Sequence, residues 1–219
     1  MDNRLAPNYF LRNVDDLYGV RSRSVSVLYS SHTLEHTSLV RGETARALAE
    51  WHRVLRPGGL LFLSVPDLEM LARLYLRHSY PTALRDMLQH MIYGGQDDPF
   101  DYHLSGFDER VLRGLLLKAG FCEVERVETF NVFPEDFDAS TVVWLFKKPI
   151  SLNVVARPCF SDELMRQYAP VDFETHSSTP FDRIATYEEV PDYDPATGDF
   201  YYIDYATKEK IVLYNYYKP

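Results

Sequence analysis

Residues 24–67 read SVSVLYSSHTLEHTSLVRGETARALAEWHRVLRPGGLLFLSVPD, and this stretch decides the fold. Val25 to Tyr29 is an apolar run that ends in a polar cluster, Ser30, Ser31, His32, Glu35 and His36. ETARALAEWHRVL (43–55) carries apolar residues at helical spacing, RPGG (56–59) reads as a sharp stop, and Leu60 to Val65 is a second apolar run ending in Pro66 and Asp67. Strands with near-continuous apolar character suit a sheet covered by helices on both faces. Strand, helix of about a dozen residues and strand make a βαβ unit. Ligand-facing groups are then expected at the carboxyl ends of the two strands, where the polar cluster and Asp67 fall.

The motifs in this unit are Ser31, His32, Leu34, Glu35, His36, then Arg53, Val54, Leu55, Pro57, Gly58, Gly59, then Val65, Pro66, Asp67. His103, the helix FDERVLRGLLLKAGF (107–121) and the strand SLNVVA (151–156) follow in order. Over roughly residues 15–157 this pattern resembles class I S-adenosylmethionine-dependent methyltransferases, specifically the type-11-like group with SHxLEH, RVLxPGG and VPD. The resemblance implies an α/β fold: a partial Rossmann-like sheet of strands equivalent to four, five, seven and six, with a remnant of the third. It implies S-adenosylmethionine as cofactor, with Asp15, Asp16 and Leu17 at its adenine end and Ser30, Ser31 and His32 beside it. It also implies that His32, Glu35, His36 and His103 carry the chemistry at the methyl acceptor. For Asp15 and Asp16 a solvated turn is the alternative.

Such enzymes begin with a strand, a G-x-G-x-G turn, a helix and a second strand ending in an acid. The glycines let the backbone approach the cofactor, and the acid binds the ribose. The ten glycines here include no G-x-G, and the residues before Ser24 are too few for two strands and a crossover helix. The first half of the cofactor site is therefore expected to be missing, which deprives the strand Val25 to Tyr29, the fourth-strand equivalent, of its usual neighbour and leaves its edge open. Edges of that kind are covered or paired, so the N-terminal segment, the C-terminal tail, a second copy in a homo-oligomer or another protein partner is expected there. The sequence leaves open whether Met1 is the natural start.

The 219 residues are 46% hydrophobic, enough for one α/β core and an appendage. A net charge of −9 argues against nucleic acid, whose binding rests on phosphate neutralisation. No apolar run approaches the ~20 residues of a membrane span, and MDNRLAPN is not a signal peptide. Cys122 and Cys159 read as buried thiols, and a reducing, cytoplasmic compartment follows, with an organelle matrix as the alternative.

Beyond Asp67, which reads as an N-cap, Leu68, Leu71, Ala72 and Tyr75 fall at helical spacing. Pro81 opens a second helix with Leu84, Met87, Leu88 and Met91 on one face, the methionines read as core fillers. YGGQDDPFDYH (93–103) reads as a loop over the cleft, the variable acceptor cover in the resembled family. Asp108 caps a helix whose Val111, Leu112, Leu115 and Leu116 are expected inward, and Ala119-Gly120 ends it. CEVERVETF alternates as a strand. The domain division is expected at 1–157 and 158–219. The second part is a tyrosine-rich β-meander built on RIATYEEV, DFYYIDYA and KIVLYNYY. Tyr201, Tyr202, Tyr205, Tyr214, Tyr216 and Tyr217 serve either an interface or packing on the domain itself.

His32, Glu35 and His36 form H-x-x-E-H, in which positions i, i+3 and i+4 share one face of a helical turn. Three readings compete. In the first, the group belongs to the methyl-transfer site. Some hydroxyl methyltransferases hold a divalent metal there with E-x-x-E-H, and His103 is then a ligand, or else a base. In the second, it is an inverted zinc-protease motif, which needs a long helix that Thr37, Ser38 and Gly42 interrupt. In the third, Glu35 pairs with His36 or an arginine and closes the turn. The sequence assigns no metal. Two functions remain open. One is methyl transfer to a small molecule or sugar bearing a hydroxyl or carboxyl. The other is a catalytically inactive, truncated methyltransferase-fold subunit (a pseudoenzyme) that serves binding or assembly in a larger complex. A partner that completes the cofactor site is the hybrid of the two.

Overall fold

The computed structural model describes residues 13–130, 132, 150–161, 192–197, 199–203 and 210–213. Its centre is a four-stranded sheet in the order β1-β2-β4-β3, formed by β1 (Val25–Ser31), β2 (Leu55–Pro66), β3 (Phe121–Val127) and β4 (Ser151–Pro158). β1 runs parallel to β2, with Leu28 opposite Leu61 and Ser31 opposite Ser64. β4 is antiparallel to both β2 and β3, so the last strand inserts between its predecessors. This is the expected order of strand equivalents four, five, seven and six.

Alternation along the strands makes two faces. Leu61, Leu63 and Val65 of β2, with Leu152, Val154 and Ala156 of β4, are buried on one face. They pack against Ala47, Leu48 and Trp51 of α1 (Glu43–Val54) and Leu112 and Leu116 of α4 (Glu109–Lys118). Each such leucine contributes about 1.5–3 kcal/mol by leaving water. On the opposite face Phe130 meets Tyr29 and Phe62 edge-on, at 5.9 and 5.3 Å between ring centroids.

A second cluster forms between α2 (Leu68–Tyr75) and α3 (Thr82–Tyr93), from Leu71, Leu74, Tyr80, Leu84 and Leu88, with Ile150 just before β4. The caps are those the sequence announces. Asp67 accepts from the Met70 amide at 3.1 Å and Asp108 from the Val111 amide at 2.8 Å. Gly120, at φ 95°, ends α4 in the left-handed region that glycine enters without strain.

Three expectations are corrected. RPGG is not a stop between helix and strand, because β2 starts directly after α1 at Leu55. Leu55 pairs with Val25 and Leu60 with Val27, so Arg56–Gly59 bulges out of the ladder. A Cβ on Gly59 would come within 3.2 Å of the Val25 and Ser26 carbonyl oxygens, a close approach only glycine allows. Val111 is not inward but 40% exposed, since Leu112 and Leu116 already fill the apolar stripe of α4. Cys122 and Cys159 are not free thiols but a disulfide, with Cα atoms 5.9 Å apart. The register that sets Phe121 opposite Pro158 brings these neighbouring residues side by side. The support that free thiols gave to a reducing compartment falls with them.

Near the C-terminus, β5 (Asp192–Asp194), β6 (Asp199–Ile203) and β7 (Lys210–Leu213) form a separate antiparallel sheet in sequence order. RIATYEEV, Tyr205, Tyr214, Tyr216 and Tyr217 lie outside the described residues. No described helix is long and apolar enough to cross a membrane. β1 is an edge of its sheet. Among the described residues no strand pairs with its outer side, and Val27 there is 49% exposed.

Candidate functional site

β1 stops because His32 takes φ 49°, a left-handed turn uncommon for a side chain of this size. Its amide still donates to the Ser64 carbonyl at 2.9 Å, so the turn is pinned to the end of β2. Leu34–His36 then form one 3-10 turn, far from the long helix of an inverted zinc protease. Leu34 anchors the turn in the core at 0% exposure, and the Thr37 hydroxyl donates to the Leu34 carbonyl at 2.6 Å.

The loop after α3 docks on this turn through its backbone. Leu104 and Ser105 amides both donate to the Glu35 carbonyl, at 2.8 and 3.0 Å. The Ser105 hydroxyl donates to the Thr37 carbonyl at 2.6 Å. These bonds bring His103 to His36, and their rings meet edge-on at 4.9 Å. His36 Nδ1 donates to the Tyr102 carbonyl at 3.1 Å, and His103 Nδ1 donates to the Ile92 carbonyl at 3.2 Å. A carbonyl only accepts, so each Nδ1 carries a proton, and Nε2 is the nitrogen left for other work.

Glu35 is the buried centre of the group, 1% exposed, and neither carboxylate oxygen receives a hydrogen bond. His32 Nδ1 stands 3.4 Å from Oε1. His32 Nε2 lies 2.9 Å from the Ser151 hydroxyl, so this imidazole bridges the end of β4 and the carboxylate. Burial pushes the His103 imidazole below its ordinary value, and the nearby Glu35 charge opposes that only in part. Burial thus favours the uncharged form of His103.

His32 and His103 open on a cavity of about 520 Å³ with Asp101 and Ser151. The rest of its wall is mostly apolar, Pro66, Leu71, Met87, Met91 and Ile150, with His90 among them. The loop 93–103 does supply part of this lining, through Gly95, Asp101 and His103. The sequence missed Ser151 and the two methionines as site residues. Hydropathy cannot tell a methionine that fills a core from one that faces a cavity.

The other residues singled out in the sequence lie elsewhere. Asp15 pairs with Arg46 at 3.2 Å, and the Asp16 carboxylate accepts from the Tyr18 amide at 3.1 Å. The Leu17 amide donates to Glu50 at 2.9 Å. All three sit in a turn against α1 and do not line the cavity. The hydroxyls of Ser30 and Ser31, at the tip of β1, are buried without hydrogen-bond partners. Asp67, across the sheet end, pairs with Arg126 at 2.9 Å. Burial raises its carboxyl above the usual range, against the opposing Met70 amide and Arg126.

Residues 2–63 match a family described as a methyltransferase domain. Among solved structures, a SAM-dependent methyltransferase from Thermotoga maritima is 19% identical at a TM-score of 0.43, over 68% of this chain and 62% of that one. One from Methanosarcina mazei is also 19% identical, at 0.40, over 68% and 66%. The complex between the Haloferax volcanii Trm112 methyltransferase activator and a methyltransferase gives 14% and 0.42, over 69% and 61%. The chain thus spans about three-fifths of the length of the first of these chains. No curated protein matches the sequence. The family likeness is thus carried by residues 2–63, which hold β1, the site turn, α1 and most of β2 and are similar to the methyltransferase domain family.

Proposed function

We propose that the protein transfers a methyl group from S-adenosylmethionine to a hydroxyl- or carboxyl-bearing small molecule held in the strand-end cavity. The observation that carries this is the convergence of His32, Glu35, His36 and His103 at the carboxyl end of β1, beside an apolar cavity of about 520 Å³. In α/β sheets this is where ligands bind. The apolar walls favour an acceptor with a hydrocarbon or aromatic body over a bare sugar.

Two buried hydroxyls without partners, on Ser30 and Ser31, fit a polar ligand at the tip of β1. They would hold the cofactor's polar groups, with the His32 ring beside them, and the cofactor when bound supplies an electrophilic methyl. The chain's own part is to seat the acceptor oxygen and take its proton. His103, whose burial favours the uncharged ring and whose Nδ1 is held by the Ile92 carbonyl, is placed to do so through Nε2. Asp15, Asp16 and Leu17 retain a proposed role at the adenine end.

Thermal unfolding with S-adenosylhomocysteine tests the reading. Binding should stabilise the fold by about 2.7 kcal/mol at a hundredfold excess over Kd. A well-folded sample whose melting temperature does not move at millimolar ligand overturns it. The second reading, a non-catalytic subunit, has its own support in the unpaired outer edge of β1 among the described residues. Under that reading a partner or a second copy covers this edge. Sedimentation would show a single monomeric species if it does not.

A further inference from the structure

The strand-end cluster includes a group that hydrogen bonding leaves unexplained. Glu35 is a carboxylate 1% exposed to solvent with no donor on either oxygen. A buried charge persists when it is paired or coordinates a metal. The candidate pairing, His32 Nδ1 at 3.4 Å, is longer than a hydrogen bond. His36 and His103 stand over the same carboxylate, and one ligand atom from each of the three lies within 4.8 Å of the others. Both imidazoles are tethered by Nδ1 to main-chain carbonyls, of Tyr102 and Ile92. That is how metal-binding histidines are held. The outer nitrogen donates to a fixed acceptor, which sets the tautomer and aims the inner lone pair.

From this geometry we infer that Glu35, His36 and His103 form a binding site for a divalent transition-metal ion, with an open coordination position toward the cavity. His32 is not a ligand but a positioning residue. Its Nε2 is engaged by Ser151 and its Nδ1 faces Glu35, so it holds the carboxylate from behind. Two imidazoles and one carboxylate suit zinc, cobalt or manganese. Magnesium prefers an all-oxygen shell and parts reluctantly with its water. The ligand atoms close on the ion by small rotations of two half-buried rings, since zinc ligands sit at ~2.0–2.2 Å from the metal. The fourth position, on the side where His103 borders the cavity, is left for water or an acceptor oxygen. A metal there lowers the pKa of the oxygen it holds. This goes beyond the proposed methyl transfer: with the ion bound, His103 Nε2 is a ligand rather than the base, and an acceptor oxygen on the metal gives up its proton to solvent instead.

The test uses the purified, chelator-stripped chain without methyl donor or acceptor, titrated with Zn²⁺, Co²⁺ and Mg²⁺ by calorimetry. One equivalent of Zn²⁺ is expected to bind at least tenfold more tightly than Mg²⁺. Co²⁺ is expected to show the visible bands of a four- or five-coordinate site. Glu35→Gln, His36→Ala and His103→Ala should each abolish stoichiometric binding. His32→Ala should weaken it by roughly 10–100-fold. His78→Ala, at an exposed turn, should leave it unchanged. If Glu35→Gln does not fold, the double variant of the half-buried His36 and His103 carries the test. Absence of Zn²⁺ binding to the folded wild type, or unchanged binding in that double variant, overturns the inference. Either result leaves the S-adenosylhomocysteine measurement standing on its own.

Discussion

Gly94→Ala should break the attachment of the His103 loop, whereas Gly95→Ala, one residue on, should be almost silent. Gly94 has φ 86°, and a Cβ there would overlap the Asp101 carbonyl oxygen and come within 3.0 Å of the His103 amide nitrogen. Those are backbone atoms held in place: the Asp101 carbonyl accepts from Gln96, and the His103 amide donates to Tyr93 at 3.0 Å. At φ 86° and ψ 164° the backbone lies where essentially only glycine goes, which costs a residue with a side chain about 1–3 kcal/mol. Forcing a methyl into packed backbone adds about 1–3 kcal/mol. The sum, roughly 2–6 kcal/mol, should lower the urea midpoint by about 1–3 M for an m-value near 2 kcal/mol/M. At Gly95 the added methyl meets the Asp101 carboxylate, the end of a side chain that can swing away, and the glycine is not at positive φ. There the lower entropy of the unfolded chain offsets the contact, and stability should change by less than about 1 kcal/mol. Urea unfolding followed by circular dichroism measures both. Equal midpoints for Gly94→Ala and wild type, or a larger loss at Gly95, would refute the account of how this loop is seated.

Three further outcomes follow from other parts of the molecule. Burial raises the Asp67 carboxyl in the folded state, so acidification favours the fold as pH falls through that raised value. Asp67→Asn keeps a cap acceptor but has no such proton, so the variant should gain on the wild type as pH rises from about 4 to 7. Denaturation curves across that range that stay parallel would contradict this. Reducing the Cys122–Cys159 disulfide, which closes a sequence separation of 37 residues, should destabilise the chain by about 2–4 kcal/mol. A melting temperature indifferent to reductant would show that the bond constrains nothing. Leu34→Ala removes a fully buried side chain beneath the site turn and should cost about 2–5 kcal/mol in urea unfolding.

How much of this could be read in the sequence depends on the range over which each feature is encoded. The helices and their caps are local. Asp67, Asp108 and Gly120 announce their positions by residue type, and α1, α3 and α4 follow apolar spacing. The strand order was accessible through the motif resemblance, because SHxLEH, RVLxPGG and VPD recur together. The His32, Glu35, His36 and His103 cluster was legible for the same reason. The partners that give those residues their chemistry were not. Ser151 lies 119 residues from His32, and the carbonyls that fix the two imidazoles belong to loop backbone with no side-chain signature. The disulfide was hidden for a related reason, since it depends on the register of β3 against β4 rather than on cysteine spacing. RPGG misled because glycine and proline mark a bulge as readily as a turn, and only the neighbouring strand decides which.

The bulge at Arg56–Gly59 gives the sheet a point of slack between the helix and the strand that carries the site. Below it, β2 follows the end of α1, and above it the ladder restarts at Leu60 opposite Val27. A residue gained or lost among Arg56, Pro57 and Gly58 would be absorbed as a wider or narrower bow, with Leu61, Leu63 and Val65 still turned to the core. The same change a few positions later, between Leu60 and Pro66, would turn Phe62 and Ser64 inward and carry the Asp67 amide off the Ile150 carbonyl it meets. Length variation in relatives of this chain should therefore collect at the glycine-proline bow and stop abruptly at Leu60.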